Sequence, residues 1–247
     1  GAARPGASRG SSVSSSSAPC LSAELLRDTS GARARSGYGR TVLSELLTHE
    51  GVEETAELRS TVGFMALHGG SLERGTAEIA HQAAHRAGAS YYGVTQPEHL
   101  RWHVPSAAFD PDHSPTLAAF IDHVDVALAI HGYGRPDLFT TVLLGGHNRT
   151  LCDRIARTLS RALPEYTFET DLDRIPRELR GQNPANPVNL PRFGGAQIEL
   201  PPRIRGLGPF WEGHAGTCPH TEDLIDALAV VARSDHRRID RPNGPAQ

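Results

Sequence analysis

The fold of this chain can be inferred outward from one stretch, Val62-Gly-Phe-Met-Ala-Leu-His68-Gly-Gly-Ser-Leu-Glu73. Its apolar run has the length of a buried strand, and His68 stands at the carboxyl end of that run. The two glycines permit a sharp turn and a close approach of the backbone to a bound group. Glu73 then falls in the loop before a helix that we expect over residues 75–87. A histidine and a glutamate so placed can bind one metal ion, although a polar strand end followed by a turn has the same pattern.

Two further apolar runs end in side chains of the same kind. Val124–Ile130 is followed by His131, and the run Ala196–Leu200 carries Glu199 beside its end. In open α/β sheets the ligand crevice lies outside the carboxyl ends of the strands, so these side chains should meet at one edge of the sheet. Because the apolar runs alternate with helical segments, we predict an α/β fold, a three-layer sandwich with a mixed, mostly parallel central sheet.

The remaining elements follow from periodicity and from turn residues. Pro105 restricts the extended piece Arg101–Phe109 to a sheet edge or a bend. Ser114 and Asn148 are placed to cap two helices. We expect strands at residues 89–94 and 140–144, and helices at residues 41–49, 115–123, 149–162 and 221–233.

The side chains at the predicted strand ends have the composition of a catalytic zinc site. Such a site uses three protein ligands and keeps one position open for water. It also needs a general base near that water. We predict that His68, Glu73 and His131 bind Zn²⁺ and that Glu199 is the base.

Glu199 also has a simpler interpretation. Its strand neighbours Ile198 and Leu200 are apolar, so its side chain points to the face opposite theirs. A carboxylate in that position is costly to bury unless it is paired or takes part in chemistry. Arg203 and Arg205 are close enough in sequence to be its partners, in which case Glu199 would be structural.

Five segments resemble, in order, those of the poly-γ-glutamate hydrolases, a group that includes phage enzymes degrading bacterial γ-polyglutamate capsules. They are H-G-G-S-L-E-R-G-T-A-E-I-A (68–80), W-H-V-P-S-A-A-F-D-P (102–111), A-I-H-G-Y (129–133), L-L-G-G-H-N-R (143–149) and N-P-V-N-L-P-R-F-G-G-A-Q-I-E-L (186–200). The similarity spans about residues 37–205. Arg74 stands where a proline is usual in the family, which alters the loop but not the donor atoms.

The resemblance implies a zinc carboxypeptidase-like fold and hydrolysis of the γ-glutamyl amide bonds of poly-γ-glutamate. By the same resemblance His68, Glu73 and His131 match the zinc ligands, and Glu199 matches the catalytic glutamate. The expected partner is an anionic γ-glutamyl polymer or peptide. The alternatives are a zinc peptidase or amidase acting on another amide, such as a peptidoglycan fragment, and a non-catalytic metal-binding module.

Four residues are candidates for binding the substrate. Arg192 can hold a carboxylate with two parallel hydrogen bonds, although a structural salt bridge would also explain it. It follows the proline-rich loop 184–191, which contains Asn189, and a long loop in a compact domain is often functional. Tyr133 comes two positions after a proposed ligand and is expected to line the pocket. His103 is expected to face the crevice, unless it makes a structural hydrogen bond.

Two other groups have donors that suit a metal. His81 and His85 lie four apart on a predicted helix and share a face, but Gln82 stands where the metalloprotease motif requires glutamate. The segment H-A-G-T-C-P-H (214–220) offers two histidines and a cysteine but no fourth ligand. We therefore expect a solvated or packed helix face in the first case and no zinc site in the second.

Length and composition favour one catalytic domain. The chain has 247 residues, of which 38% are hydrophobic, and this is enough for a sizeable core. Residues 1–36 begin with a segment rich in Ser, Gly, Ala and Arg, which cannot bury enough surface to offset its ordering entropy. We expect a disordered or loosely attached arm at residues 1–36, a single α/β domain at residues 37–235 and a flexible tail at residues 236–247.

Charge and cysteine content exclude several classes of protein. The net charge of −3 gives no indication of a nucleic-acid or membrane partner. No apolar run reaches the roughly 18–20 residues that cross a bilayer. The 3 cysteines have no framework spacing, so a disulfide scaffold is not indicated and the compartment, cytoplasmic or secreted, stays open. We expect a monomer.

Overall fold

The computed structural model describes residues 42–208 and 218–239, with side chains up to residue 235 in the second range. The predicted arm at residues 1–36 and most of the predicted tail lie outside these ranges. The last helix continues to Ile239, beyond the expected domain boundary at residue 235. The proposed division into arm, domain and tail stays a prediction.

Seven strands form one sheet in the spatial order β1-β3-β2-β4-β7-β5-β6. The strands are β1 (Glu53–Glu57), β2 (Val62–Gly70), β3 (Ser90–Gln96), β4 (Val126–Gly132), β5 (Thr141–Gly145), β6 (Thr167–Glu169) and β7 (Gly195–Leu200). The helices are α1 (Val42–Leu46), α2 (Thr76–Ala87), α3 (Pro115–His123), α4 (Arg149–Ala162) and α5 (Pro219–Ile239).

The sheet is mixed and mostly parallel. β2 pairs in parallel with both β3 and β4, and the pairs β4–β7 and β5–β6 are also parallel. The outer strand β1 and the pair β5–β7 are antiparallel. Helices α2, α4 and α5 contribute to the apolar cluster on one face, and α1 and α3 to the cluster on the other. The predicted three-layer α/β sandwich is confirmed.

Strand β2 shows why the centre of the sheet is buried on both faces. Phe64 and Ala66 belong to the cluster with α2, whereas Met65 and Leu67 belong to the cluster with α1 and α3. Successive side chains of a strand point to opposite faces. A strand covered on both faces therefore reads as a continuous apolar run rather than as an alternating pattern, which is the pattern before His68.

The two predicted helix caps are confirmed. The Ser114 side chain accepts a hydrogen bond from the Leu117 N–H, and the Asn148 side chain accepts one from the Leu151 N–H. Each cap satisfies one of the donors that the first helical turn leaves unpaired. Helices α3 and α4 consequently begin at the residues expected from the sequence.

Several elements differ from the predictions. The first helix is confined to Val42–Leu46, and the piece 101–109 is irregular apart from a short 3-10 turn at Ser106–Ala108. Strands β1 and β6 were not predicted. β1 has the sequence Glu-Glu-Thr-Ala-Glu and lies at the sheet edge, where charged side chains replace apolar alternation and discourage pairing with another chain. Within the described ranges, no helix is both long and apolar enough to cross a bilayer.

Candidate active site

The three proposed metal ligands come together at the carboxyl edge of the sheet. His68 comes from β2, His131 from the adjacent β4, and Glu73 from the loop after β2. One donor atom of each lies within 4.8 Å of the others. Glu73 lies between the two rings: its Oε1 is 2.7 Å from His68 Nδ1, and its Oε2 is 3.3 Å from His131 Nδ1.

The backbone holds Glu73 in this position. Its N–H donates to the His68 carbonyl at 2.9 Å, which closes the turn after β2. The Gly132 N–H donates to Glu73 Oε2 at 2.8 Å. The turn needs glycine at residue 70, because Gly70 has a φ of +73° and a Cβ there would lie 2.2 Å from the Gln96 carbonyl oxygen. The second glycine after His68 is thus explained by the geometry of the turn.

A bulge in β2 directs His68 toward His131. The register of β2 against β3 shifts between Ala66 and Gly69. Strict alternation would place His68 on the face of Ala66, but its ring contacts Phe109, which belongs to the cluster on the opposite face. The rings of His68 and His131 have their centroids 5.0 Å apart. A bulge re-aims one side chain without ending the strand, and here it brings the two histidines to one face.

The histidine nitrogens suit a cation beside Glu73. His68 Nε2 lies 2.8 Å from the Val104 carbonyl oxygen, which can only accept a hydrogen bond. His68 Nε2 therefore carries a hydrogen, and Nδ1 is the nitrogen that faces the Glu73 carboxylate. His131 Nε2 is buried without a hydrogen-bond partner in the described part of the chain. Metal-binding histidines commonly donate their second nitrogen to a carbonyl in this way.

Burial and opposing charge interactions set the pKa values of Glu73 and His131. Burial favours the protonated form of Glu73, but the charges and hydrogen bonds of His131 and His68 outweigh burial and hold the pKa of Glu73 well below its usual range. Burial opposes protonation of His131, yet the carboxylate of Glu73 outweighs it and raises the pKa of His131 to about 9. Glu73 therefore stays ionised and favours positive charge on the groups next to it.

Glu199 lies beside this group on β7. It is the register partner of His131 in the parallel pair of β4 and β7, and it is buried. Burial raises the pKa of Glu199 to about 7. Its side chain accepts a hydrogen bond from Gln197 Nε2 at 2.8 Å. A carboxylate with a pKa near neutrality is suited to accept and release a proton at physiological pH.

The described residues do not support the structural interpretation of Glu199. The Arg203 guanidinium lies over the ring of Tyr166, 5.7 Å from its centroid. Arg205 donates to the carbonyl oxygens of Arg74 and Tyr133. Neither arginine forms an ion pair with Glu199 within the parts of the chain that the structure describes.

A cavity of about 600 Å³ opens over these side chains. It brings together the ligand group, Glu199 and His103. Other polar side chains come from the connection between β6 and β7, which closes one side of the cavity. The polar side chains that line it are His68, Glu73, His103, Ser106, His131, Arg177, Glu178, Gln182, Asn183, Asn186, Gln197 and Glu199.

His103 lies in the cavity as expected. Its ring centroid is 4.8 Å from that of His68, and no structural hydrogen bond occupies it among the described residues. Burial, reinforced by the charge of His68, lowers the pKa of His103. A neutral imidazole in the cavity can donate or accept a hydrogen bond from a bound group.

Arg192 lies at the opposite edge of the sheet from the ligand group, so its position gives no support to the predicted role in substrate binding. It precedes the amino end of β7, whereas Glu199 is near the carboxyl end. The four strand residues between them span roughly 13 Å at about 3.3 Å per residue. Arg192 is exposed, and its guanidinium lies 4.9 Å from the ring centroid of Phe193.

Tyr133 and Asn189 also stay outside the cavity. The single hydroxyl hydrogen of Tyr133 is shared between the carbonyl oxygens of Leu138 and Thr141, so Tyr133 fastens the segment after β4. Asn189 donates to the carbonyl oxygens of Gly181 and Asn183, and its Oδ1 accepts from the His147 N–H. The polar atoms of both side chains are occupied by backbone partners, and their role in substrate binding stays a prediction.

Side chains of the other two candidate metal groups that the structure describes have other partners or are buried. His81 Nε2 lies 2.7 Å from a carboxylate oxygen of Glu57, and its ring packs against Tyr91. His220 is paired with Glu165, and Cys218 is buried as a free thiol. The remaining candidate of that segment, at position 214, lies outside the described residues.

One feature of the sequence indicated the cavity-lining polar residues that were not among the predicted site residues. Arg177, Gln182, Asn183 and Asn186 all belong to the connection between β6 and β7, and the long proline-rich loop marks its second half. Long loops of this kind often carry function. Which residues of the loop face the cavity depends on how the loop packs, and this is not visible in the order of residues alone.

Known proteins share both sequence and fold with this chain. The SPbeta prophage-derived UPF0714 protein YoqZ of Bacillus subtilis (strain 168) is 29% identical over 148 residues, which are 59% of this chain and 51% of that protein. The chain therefore spans about half the length of this curated relative. A bacteriophage poly-gamma-glutamate hydrolase structure aligns with a TM-score of 0.65 at 22% identity, over 82% of this chain and 98% of the other.

A second solved structure, of YNDL in a zinc-free apo form, aligns with a TM-score of 0.62 at 19% identity, over 74% of this chain and 90% of the other. At these identities the two structural alignments show a shared fold. The sequence profile of the poly-gamma-glutamate hydrolases matches residues 43–208. This match contains every strand and the complete group of His68, Glu73, His131 and Glu199. The chain belongs to the poly-gamma-glutamate hydrolase family.

Proposed function

We propose that this protein is a zinc-dependent hydrolase that cleaves the γ-glutamyl amide bonds of poly-γ-glutamate. One observation carries the proposal: two histidines and a glutamate converge at the carboxyl edge of the sheet, with a buried glutamate on the next strand. A module that only binds metal has no need of such a carboxylate beside the ligands. Family membership supports the choice of substrate.

The residues present fit a zinc ion. Zinc accepts imidazole nitrogen and carboxylate oxygen, and a catalytic site needs three protein ligands. His68, Glu73 and His131 would hold the ion, and Val104 would fix the orientation of the His68 ring through its carbonyl oxygen. When bound there, zinc would polarise the scissile carbonyl and lower the pKa of a coordinated water.

Glu199 is the proposed general base. Its carboxylate accepts a proton from the attacking water and then delivers that proton to the leaving nitrogen of the broken amide bond. The products are a new carboxyl group and an amine, so no other reactant is required. The raised pKa of Glu199 supports both steps, because proton uptake and release are then both accessible near neutral pH.

The cavity also supports an anionic substrate. Of the side chains that line it in the described ranges, Arg177 alone carries a permanent positive charge. The neighbouring acid, Glu178, is paired with Arg135. Each γ-linked glutamate carries a free carboxylate, which an arginine can bind with two hydrogen bonds. Arg177 is thus the proposed carboxylate-binding residue, and His103 is proposed to contact the substrate beside the metal.

The experiment compares polymers with and without a chelator. Purified protein is incubated with γ-linked polyglutamate, α-linked polyglutamate and a peptidoglycan fragment, and chain length is followed. Shortening of the γ-linked polymer alone, abolished by chelator and restored by zinc, is the expected result. Cleavage of the peptidoglycan fragment but not of the γ-linked polymer would identify an amidase of different specificity. Tight zinc binding with no cleavage of any amide would overturn the proposal in favour of a binding module.

A further inference from the structure

A buried chain of side-chain amides connects the cavity loop to Glu199. Asn186 Nδ2 donates to Gln197 Oε1 at 2.8 Å, and Gln197 Nε2 donates to Glu199 Oε1 at 2.8 Å. The three residues expose only 3%, 4% and 3% of their surface, respectively. Gln197 and Glu199 are two apart on β7 and so point to the same face of the sheet.

The direction of these hydrogen bonds is fixed at both ends. The Val188 N–H donates to Asn186 Oδ1 at 3.3 Å, and a backbone N–H can only be a donor. The Asn186 Nδ2 group therefore faces Gln197, which places Gln197 Oε1 toward Asn186 and Gln197 Nε2 toward Glu199. At the other end, Nε2 meets only acceptors, the Glu199 carboxylate and the Leu179 carbonyl oxygen at 3.4 Å. An inverted amide at Gln197 would set acceptor against acceptor.

We propose that Gln197 is a positioning residue for Glu199 and that Asn186 fixes its orientation. This inference rests on the proposed function, in which Glu199 is the general base. The Gln197 amide occupies Glu199 Oε1, and no hydrogen bond from the described residues reaches Oε2. One oxygen is thereby fastened and the other is left for the water proton. A base held by a locked hydrogen bond stays in the productive geometry without rearrangement during the reaction.

The chain of amides also ties the base to the loop that covers the cavity. Leu179 and Asn186 lie in the connection between β6 and β7, and both bind Gln197. Displacement of this connection would release the amide of Gln197 and with it the fixed orientation of Glu199. The loop that lines the cavity is thus linked by hydrogen bonds to the proposed base.

Two matched substitutions test the role of Gln197. Gln197→Met keeps the length of the side chain and removes the amide. The control is Gln96→Met, because Gln96 is an equally buried glutamine at the end of β3 whose amide binds only the backbone of Trp102. Gln197→Met should lower kcat by about 10- to 100-fold, with KM and bound zinc close to those of the wild type. Gln96→Met should leave kcat within about twofold of the wild-type value.

A double-mutant cycle separates positioning from a general effect on structure. In a Glu199→Gln background, the further change Gln197→Met should alter the residual kcat by less than about twofold, because the base that it positions is already absent. Asn186→Ala, which leaves Gln197 in place, should produce a smaller loss of kcat of the same kind. It also provides a test if Gln197→Met does not fold.

The outcomes distinguish this inference from the proposed function. A wild-type protein that cleaves no amide substrate would refute the proposed function itself. An active wild type with an unchanged kcat in Gln197→Met would refute only the positioning role. A loss in Gln197→Met that persists undiminished in the Glu199→Gln background, or that Gln96→Met matches, would show that Gln197 is merely structural.

Discussion

His131 and Glu199 lie directly opposite each other in the parallel pair of β4 and β7, on the same face of the sheet. The pair places a proposed metal ligand and the proposed base at buried positions of adjacent strands. Sites built on strands hold their side chains more rigidly than sites built on loops. Metal binding and proton transfer should therefore be separable by mutation without large changes in the fold.

The first prediction concerns the base. Glu199→Gln keeps the size of the side chain but removes its ability to accept the water proton. Turnover of γ-polyglutamate should fall by ~10²–10⁴-fold, while bound zinc should stay at the wild-type level. Both quantities are measured on the same preparation. Near-normal turnover would remove Glu199 from the mechanism, and lost zinc would make it a ligand.

The second prediction concerns the metal ligands. His68→Ala and His131→Ala should each release zinc, because three ligands leave little affinity once one is lost. The large core on both faces of the sheet should keep the fold. Elemental analysis gives the zinc content, and circular dichroism checks the fold. His81→Ala is the matched control, since His81 lies on α2 and its ring binds Glu57 of β1, away from the ligand group. Full zinc occupancy in both ligand variants would refute the assignment.

The third prediction concerns recognition of the anionic polymer. Arg177→Glu should reduce kcat/KM for γ-polyglutamate by about tenfold, because a charge-assisted hydrogen bond contributes ~1.5 kcal/mol at the low end of its range. The loss should diminish as salt rises, since screening weakens the attraction in the wild type. Arg192→Glu is the control with the same charge change at the opposite edge of the sheet. Equal losses in both variants would indicate a general effect of net charge.

The fourth prediction concerns the pH dependence of stability in the metal-free protein. The Glu73 carboxylate outweighs burial and raises the pKa of His131 to about 9. A histidine with a raised folded-state pKa contributes stability that is complete below about pH 6.5 and is lost as the pH rises through about 9. Burial raises the pKa of Glu199 from 4.5 to about 7. Glu199 therefore also lowers the stability of the folded protein as the pH rises from 4.5 to about 7.

Thermal unfolding in the presence of chelator measures this dependence. The Tm should fall from pH 7 to pH 9, and a His131→Gln variant should lack most of that fall. Excess zinc should oppose the fall, because its ligands must be deprotonated and its binding strengthens as the pH rises. A constant or rising Tm of the chelated wild type over this range would contradict the prediction.

The sequence was sufficient to predict the centre of the sheet and the edge at which the site lies. His68, His131 and Glu199 each stand at or beside the end of an apolar run, and the carboxyl ends of parallel strands share one edge. The helix caps Ser114 and Asn148 were equally readable, because their hydrogen bonds reach only three residues along the chain. Short-range patterns of this kind need no knowledge of tertiary packing.

Features that depend on contacts far apart in the sequence were not predictable in this way. Arg192 was expected in the site because it follows a loop, but that part of the loop leads to the amino end of β7. Gln197 was missed because its role depends on Asn186 and Leu179, which pack onto β7 from the cavity loop. The bulge that turns His68 is likewise visible only in the pairing of β2 with β3.

The order of the site residues along the chain has a consequence for how the protein can change. The three proposed zinc ligands lie between His68 and His131, whereas the proposed carboxylate-binding residue and the amide side chains of the loop lie between Arg177 and Asn186. No residue belongs to both groups. Under the proposed function, replacements in the second stretch would alter substrate preference, and through Asn186 the orientation of Glu199, without removing a proposed zinc ligand. Substrate preference can therefore evolve while the proposed zinc ligands are kept.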